Sequence, residues 1–456
     1  MKKQIALSLA LLAGLVMGAT SANAAEIKAT GNWQVDAGFV NKNYFSGDTG
    51  SNKTVSIDQR VRTTFQFIAN ENLRGVFETQ VGIQSWGNGD FAVGNRGQAN
   101  DGTDDISLRK AYIDFNWPGT KYRFLVGKQS LSLPAAFGGG SAILDDHMSA
   151  AAAIVPVTDN IALVGGYARL TDDDGPNVNP NDYNNGTSAD AAFLYSNLKF
   201  SGFEFNPFFM YAYAGANSGA SGLGGFAVPG LTSAQSSAKA YWAGTAFTMT
   251  ALDPFKVVAD INYGKADYST GNAERSGWLF DLAVDYTGLS MMTPSVFFAY
   301  SSGENSNDSK SDRMPVVGAQ NWAIGSFWMQ GGDTLTDNYT DPSGNLGFWA
   351  AGLSLKDIKL IDKLTHTFNV IYFQGTNDKD SGVVTAGNYG TLLTDKDSLV
   401  EVDLNSQYQI YEELSLGLEL GYIFADFDKG VWAGAGSNSE LNENAYKATF
   451  MLKYSF

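Results

Sequence analysis

The sequence predicts an all-β fold, a transmembrane antiparallel β-barrel closed on itself. Three observations predict it. The last strand, Tyr446 to Phe456, alternates with period two and carries one apolar face. The connections along the chain alternate between short and long. Beyond the N-terminus no apolar run reaches the roughly 18 residues that a membrane-crossing helix needs. In hydrocarbon every backbone N–H and C=O must be paired, which leaves a closed sheet.

The chain opens with Lys2 and Lys3, an apolar stretch from Ile5 to about Met17, and the small-x-small site Ala22-Asn23-Ala24. This reads as a secretory signal peptide over residues 1–24, cleaved after Ala24, with 25–456 as a single barrel domain. Losing two lysines makes the mature chain more acidic than the full sequence, whose formal charge is -17. Such an acidic balance argues against a nucleic-acid partner, which needs a basic footprint. Cysteine is absent, so no disulfide, thiol chemistry or cysteine-held metal is available. The 51 glycines with 21 tyrosines, 29 phenylalanines and 9 tryptophans suit turn-rich hairpins and aromatic girdles.

Short connections fall at Asn70-Glu71-Asn72, Pro118-Gly119-Thr120, Thr158-Asp159-Asn160, Ser201-Gly202, Ala251 to Pro254, Gly288-Leu289, Asp357 to Lys363 and Tyr411-Glu412-Glu413. Long ones, rich in Gly, Asn, Asp and Ser, cover about 41–53, 87–104, 130–148, 171–188, 215–238, 269–275, 302–345, 376–397 and 428–444. Eight short turns and nine long loops give eighteen strands with both ends on the turn side, the periplasmic side of an outer-membrane barrel; the long loops are then extracellular. Sixteen strands is the alternative, because the Ala-rich segment 150–157 is a weak strand. Segment 319–332, with Trp322, Ile324, Phe327 and Trp328, reads as loop.

On the second strand Val61, Thr63, Phe65 and Phe67 share one side, and Arg60, Arg62, Thr64 and Gln66 the other. On the third, Val81 and Ile83 oppose Glu78, Gln80 and Gln84. Charge on the inside and apolar groups on the outside imply a wet lumen. A soluble lipocalin-like barrel shows the reverse, since its core could not absorb those charges.

Counting about 2.5 Å of height per tilted residue, Arg62 and Lys110 each stand about 20 Å above their turns and Arg60 about 5 Å higher. All three have lumen parity, which predicts a basic wall near mid-membrane. Arg74 and Arg123 share that parity near the turn-side mouth. Lys128 has the height but not the parity, unless Gly127 opens a bulge.

The third long loop contains LSLPAAFGGGSAILDDHM (131–148), too apolar for a water-exposed loop. It is expected to fold into the lumen and narrow it. Pro134, Phe137, Gly138 and Gly139 resemble the Pro-x-x-Phe-Gly-Gly core of the constriction loop of general bacterial porins. Ala135 stands where that family carries an acid, so the resemblance passes the acidic role to Asp145 and Asp146. The terminal strand, with Tyr454 and Phe456, resembles the signal by which outer-membrane proteins reach their assembly machinery. Together KATGNWQ (28–34), RVRTTFQF (60–67), RKAYIDF (109–115), FGGGSAILDD and the terminal strand are similar to the homotrimeric outer-membrane porins of sulfate-reducing deltaproteobacteria. That resemblance implies a trimer of separate pores in bilayer and lipopolysaccharide, passing small hydrophilic solutes.

Catalytic signals are poor. His147 and His366 are the only histidines, and the neighbours Asp145, Asp146 and Ser149 do not make a triad by adjacency. Asp172, Asp173 and Asp174 are weak calcium candidates without the full spacing of a calcium loop; a solvated acidic loop is the plainer reading. The expectation is a cofactor-free general diffusion porin. The runner-up is a substrate-specific channel for sugars or peptides, which needs a line of aromatic or paired polar ligands along the lumen.

Overall fold

The computed structural model describes residues 25–41, 45, 53–86, 106–172, 188–215, 237–269, 273–306, 310–319, 321–329, 333–335, 346–434 and 441–456. The expected leader over 1–24 and the calcium candidates Asp173 and Asp174 lie outside them, as does the side chain of Asp172.

Eighteen long strands and two of two residues, Lys310–Ser311 and Gly318–Ala319, form one sheet. The long strands are β1 (Glu26–Asn41), β2 (Lys53–Asn70), β3 (Leu73–Ser85), β4 (Ile106–Asn116), β5 (Arg123–Ser132) and β6 (Leu144–Thr158). Then come β7 (Ile161–Asp172), β8 (Ser188–Phe200), β9 (Phe203–Ala214), β10 (Ala238–Leu252), β11 (Phe255–Tyr268) and β12 (Glu274–Tyr286). The last six are β13 (Thr293–Ser301), β14 (Phe348–Ile361), β15 (Leu364–Gly375), β16 (Ser398–Tyr411), β17 (Leu414–Asp426) and β18 (Ala445–Ser455). Each pairs antiparallel with the next, and β1 pairs with β18 from Asn32↔Ser455 to Asn41↔Tyr446, which closes the barrel. The chain end completes the seam. Phe456 N donates to Gly31 O at 3.0 Å, Gly31 N to Phe456 O at 2.7 Å, and Ser455 N to Glu413 O at 2.7 Å. The Phe456 ring covers Gly31, where a Cβ would stand 2.8 Å from Cζ.

All eight expected turns join hairpins, and the Ala-rich segment belongs to β6, paired to both neighbours, so the sixteen-strand alternative falls. One boundary moves. The turn expected over Asp357 to Lys363 shrinks, because β14 continues to Ile361 through two register shifts. Gly119, at φ +76°, takes the left-handed position of the turn after β4, where a side chain would be strained.

The outward face is an apolar belt: Phe205, Phe209, Trp278, Val296, Leu353, Phe424 and Phe450 are all exposed. The inward face is not uniformly polar. On the loop-side halves of β8–β10 the inward positions are small or apolar, among them Ala189, Ala191, Phe193, Met210, Ala212, Ala240 and Trp242, all buried. They pack with Leu133, Ile143, Trp322, Phe327 and Trp328 of the third loop (133–143) and of the described part of the seventh (302–347), which fold inside the barrel.

Candidate functional site in the barrel lumen

The lumen has a charged wall on one side and two anchored loops on the other. The wall is β2, β3 and β4. Register pairs Arg62 with Gln80 and Glu78 with Lys110, and a bulge between Glu78 and Thr79 turns Arg109 inward beside Lys110. Arg62 Nε donates to Gln80 Oε1 at 2.7 Å. Arg109 donates from Nε to Glu78 Oε1 at 2.9 Å and from Nη1 to Gln80 Oε1 at 3.1 Å, while its Nη2 stands 3.2 Å from His147 Nε2. Lys110 Nζ reaches Glu78 Oε2 at 2.9 Å. Arg60 Nη2 donates to Gln34 Oε1 at 3.2 Å. Among the described residues neither Arg60 nor Arg62 has a carboxylate within ion-pair distance. Among the wall's own side chains at this height, four cations share one ion-paired carboxylate, Glu78, a local surplus of positive charge; Asp36 and Asp333 stand near Arg60, and Asp146 near Arg109.

Arg74 and Arg123 form a separate cluster at the turn end, where both hold Asp114 at 2.7 Å. Lys128 stays out of the wall: the β4–β5 register runs unbroken from Ala111↔Lys128 to Asn116↔Arg123, and its Nζ donates to Leu108 O at 2.9 Å.

The third loop is pinned to β11. Ala136 N and Phe137 N both donate to the buried Asp260 carboxylate, at 2.9 Å each to its nearer oxygen, and the Phe137 ring lies 5.8 Å from that of Phe297. Gly138 is required where it stands, at φ +73° with Trp322 Cδ1 2.6 Å from a notional Cβ, and Gly139 follows at φ +86°. Pro134 sits on the lumen side of the same loop. Asp145 and Asp146 depart from expectation. They belong to β6, because that strand begins at Leu144. Asp145 accepts from Asn321 Nδ2 at 2.8 Å, and Asp146 accepts from His147 N close to Arg109 of the wall.

The sequence reading missed the seventh loop as a lumen element. Its backbone is held by carboxylates on three strands, β1, β16 and β17. Ser326 N, Phe327 N and Trp328 N donate to Glu401 at 3.1, 3.1 and 2.9 Å, and Ser326 N also to Asp403 at 3.0 Å. Asp333 N donates to Glu419 Oε1 at 2.8 Å and Leu335 N to Asp36. The buried Lys447 joins Glu419 at 3.0 Å. The rings of Trp328 and Phe373 lie 4.9 Å apart. Asp333 itself turns its carboxylate into the lumen, 3.5 Å from Lys453 Nζ and 71 % exposed, so the seventh loop supplies an acidic edge near Arg60. The missed signal is the apolar run from Trp322 to Met329 inside a loop.

Away from the strands, burial pushes Glu304 up and Arg313 down to about 9, the latter with help from neighbouring Arg275. Burial likewise raises Tyr389 of the eighth loop to about 12. His147 and Ser149 do not face each other across a nucleophile site: His147 meets Arg109 and Ser149 lies exposed. Among the described residues no three His, Asp or Glu side chains converge as a metal site.

No protein-family profile matches the chain, and no curated protein matches it in sequence. Solved structures do. The outer membrane protein OprD from Pseudomonas aeruginosa is 13 % identical with a TM-score of 0.54, over 96 % of both chains. Acinetobacter baumannii OccAB3 is 10 % identical with a TM-score of 0.54, over 94 % of this chain and 99 % of that one. Pseudomonas aeruginosa OpdQ is 12 % identical with a TM-score of 0.52, over 94 % and 98 %. At these identities the likeness is one of fold: nearly the whole chain follows the closed antiparallel barrel of these structures.

Proposed function

We propose that this chain is an outer-membrane porin, a water-filled channel for passive diffusion of small hydrophilic solutes and ions, with a weak preference for anions. The observation that carries the reading is the β2–β4 wall. It stays charged and partly accessible inside a barrel whose outer face is apolar, while the anchored loops fill the opposite side. An ion moving past Arg60, Arg62, Arg109 and Lys110 passes within a screening length of surplus positive charge. Passive permeation needs no cofactor or covalent step. The fold likeness to OprD, an outer membrane protein, supports the location. The Lys2-Lys3 leader and the terminal strand support export through residues 1–24 and delivery by the assembly machinery through Tyr454 and Phe456. The sequence resemblance to deltaproteobacterial porins supports a homotrimer in contact with lipid and lipopolysaccharide.

The test is reconstitution of the detergent-purified protein in planar bilayers under KCl. Stepwise, ohmic openings with a reversal potential near zero or on the anion side are expected. Absence of any conductance from correctly folded protein refutes the reading.

A further inference from the structure

Beneath the tip of the third loop, away from the basic wall, the lumen opens into a niche of about 650 Å³. Tyr195 and Asn197 of β8 line it with Asn206 of β9, between the register pairs Tyr195↔Phe208 and Leu198↔Phe205. Pro134 and Phe137 roof it, and Asn321 with Asp145 closes one side.

Its chemistry differs from that of the wall. Asp145 is the one ionisable carboxylate in the lining, and Asn321 already donates to it at 2.8 Å. An anionic solute leaving water for this niche finds a carboxylate and no cation, so burial there costs it hydration without return. The amides of Asn197 and Asn206 make no hydrogen bond to the described protein, and Asn206 Oδ1 is shielded from solvent without a partner. The Asn197 amide, half-buried, carries both donors and an acceptor, matching a hydroxyl, which also gives and takes. Pro134, Phe137 and the Tyr195 ring present apolar faces suited to the C–H face of a saturated ring. The volume falls within the roughly 300–1,000 Å³ of small-molecule sites.

We infer that this niche is a binding subsite for a neutral polyhydroxylated solute of monosaccharide size. The inference rests on the channel reading above and names a class of cargo for it: the charged wall acts on ions, and the amide niche delays uncharged polyols.

The probe is D-glucose. Two measurements use the whole purified protein: equilibrium dialysis with labelled glucose in detergent, and single-channel current in KCl with glucose added. Saturable binding in the millimolar range and brief glucose-dependent current reductions are expected. Asn197→Ala/Asn206→Ala should weaken both at least fivefold while leaving KCl selectivity unchanged. Asn197→Leu, close in volume, replaces the double variant if that variant assembles poorly. A protein that conducts KCl but neither binds nor is blocked by glucose, or variants that bind as wild type does, overturns the niche and leaves the channel reading standing. Glucose binding without KCl conductance overturns the channel reading and leaves the niche.

Discussion

Replacing Arg60 and Arg62 together by glutamine tests the charged wall most directly. Neither residue has a carboxylate partner among the described residues; each donates to a glutamine side chain, Gln34 or Gln80. Glutamine keeps the polarity and removes the charge. At a separation of one screening length, about 8 Å, a unit charge in water acts on a passing ion with about 0.5 kcal/mol, which salt screening cuts to about 0.2 kcal/mol. Losing two charges changes the energy of each ion by about 0.4 kcal/mol, with opposite signs for K⁺ and Cl⁻. The difference between them moves by about 0.8 kcal/mol, a roughly fourfold shift in permeability ratio toward cations. Across a tenfold KCl gradient that is a reversal-potential change of about 25 mV starting from neutrality. Glu78→Gln is the sign control. It removes the carboxylate held by Arg109 and Lys110, so the potential should move the other way by about half as much. Identical reversal potentials for wild type and the arginine variant would refute the placement of this wall along the ion path.

Three further outcomes follow from other parts of the molecule. Phe456→Ser keeps both backbone bonds to Gly31, so the purified barrel should melt within about 3 °C of wild type, while the yield of assembled protein in cells falls severalfold; normal yield counts against an assembly role. Glu401→Gln/Asp403→Asn weakens the charge-assisted acceptors of Ser326, Phe327 and Trp328, each bond contributing about 1.5–3 kcal/mol, so open-channel noise and conductance should rise; unchanged traces mean the seventh loop is held by its aromatic packing alone. N-terminal sequencing of protein extracted from membranes should begin at Ala25, and a retained Met1 defeats the leader reading.

The barrel was legible because its signals are local. Turn chemistry and period-two alternation mark most hairpins, the Ala-rich β6 being the weak one, and the terminal strand shows its lipid face without reference to any other segment. Parity with height above the turn was enough to bring Arg62 and Lys110 together and to separate Arg74 and Arg123 from them. Arg109 was missed because a bulge breaks the parity rule just where it stands, and a one-residue register shift leaves no mark in the alternation. The seventh loop was missed for a different reason. Its contacts with Asp36, Glu401 and Glu419 join residues far apart in sequence, and no spacing encodes them. A trace did exist. The loop-side halves of β8–β10 are largely apolar on both faces, which a purely wet lumen does not explain, and the aromatic segment 322–328 had no other surface to cover.

The acidity of the chain and the anion preference proposed for its pore are compatible once the carboxylates are sorted by what they hold. Loops folded into a barrel bring backbone N–H groups away from bulk water, and each needs an acceptor. Here Asp36, Asp260, Glu401, Asp403 and Glu419 supply them, all buried and each receiving at least one N–H from the third or seventh loop. In the ninth-loop region Asp397 does the same for Asp428 N at 2.8 Å and Trp432 Nε1 at 3.0 Å. These acids count toward the net charge of -17, yet they are spent on local hydrogen bonds on the plugged side of the lumen. Screening further removes exposed acids on the outer loops from the field felt at mid-height. What an ion meets at mid-height on β2–β4 is Arg60, Arg62, Arg109 and Lys110, with Glu78 the one carboxylate ion-paired among them. Net charge therefore predicts solubility and partners better than it predicts selectivity, which depends on the few groups left unpaired within a screening length of the path.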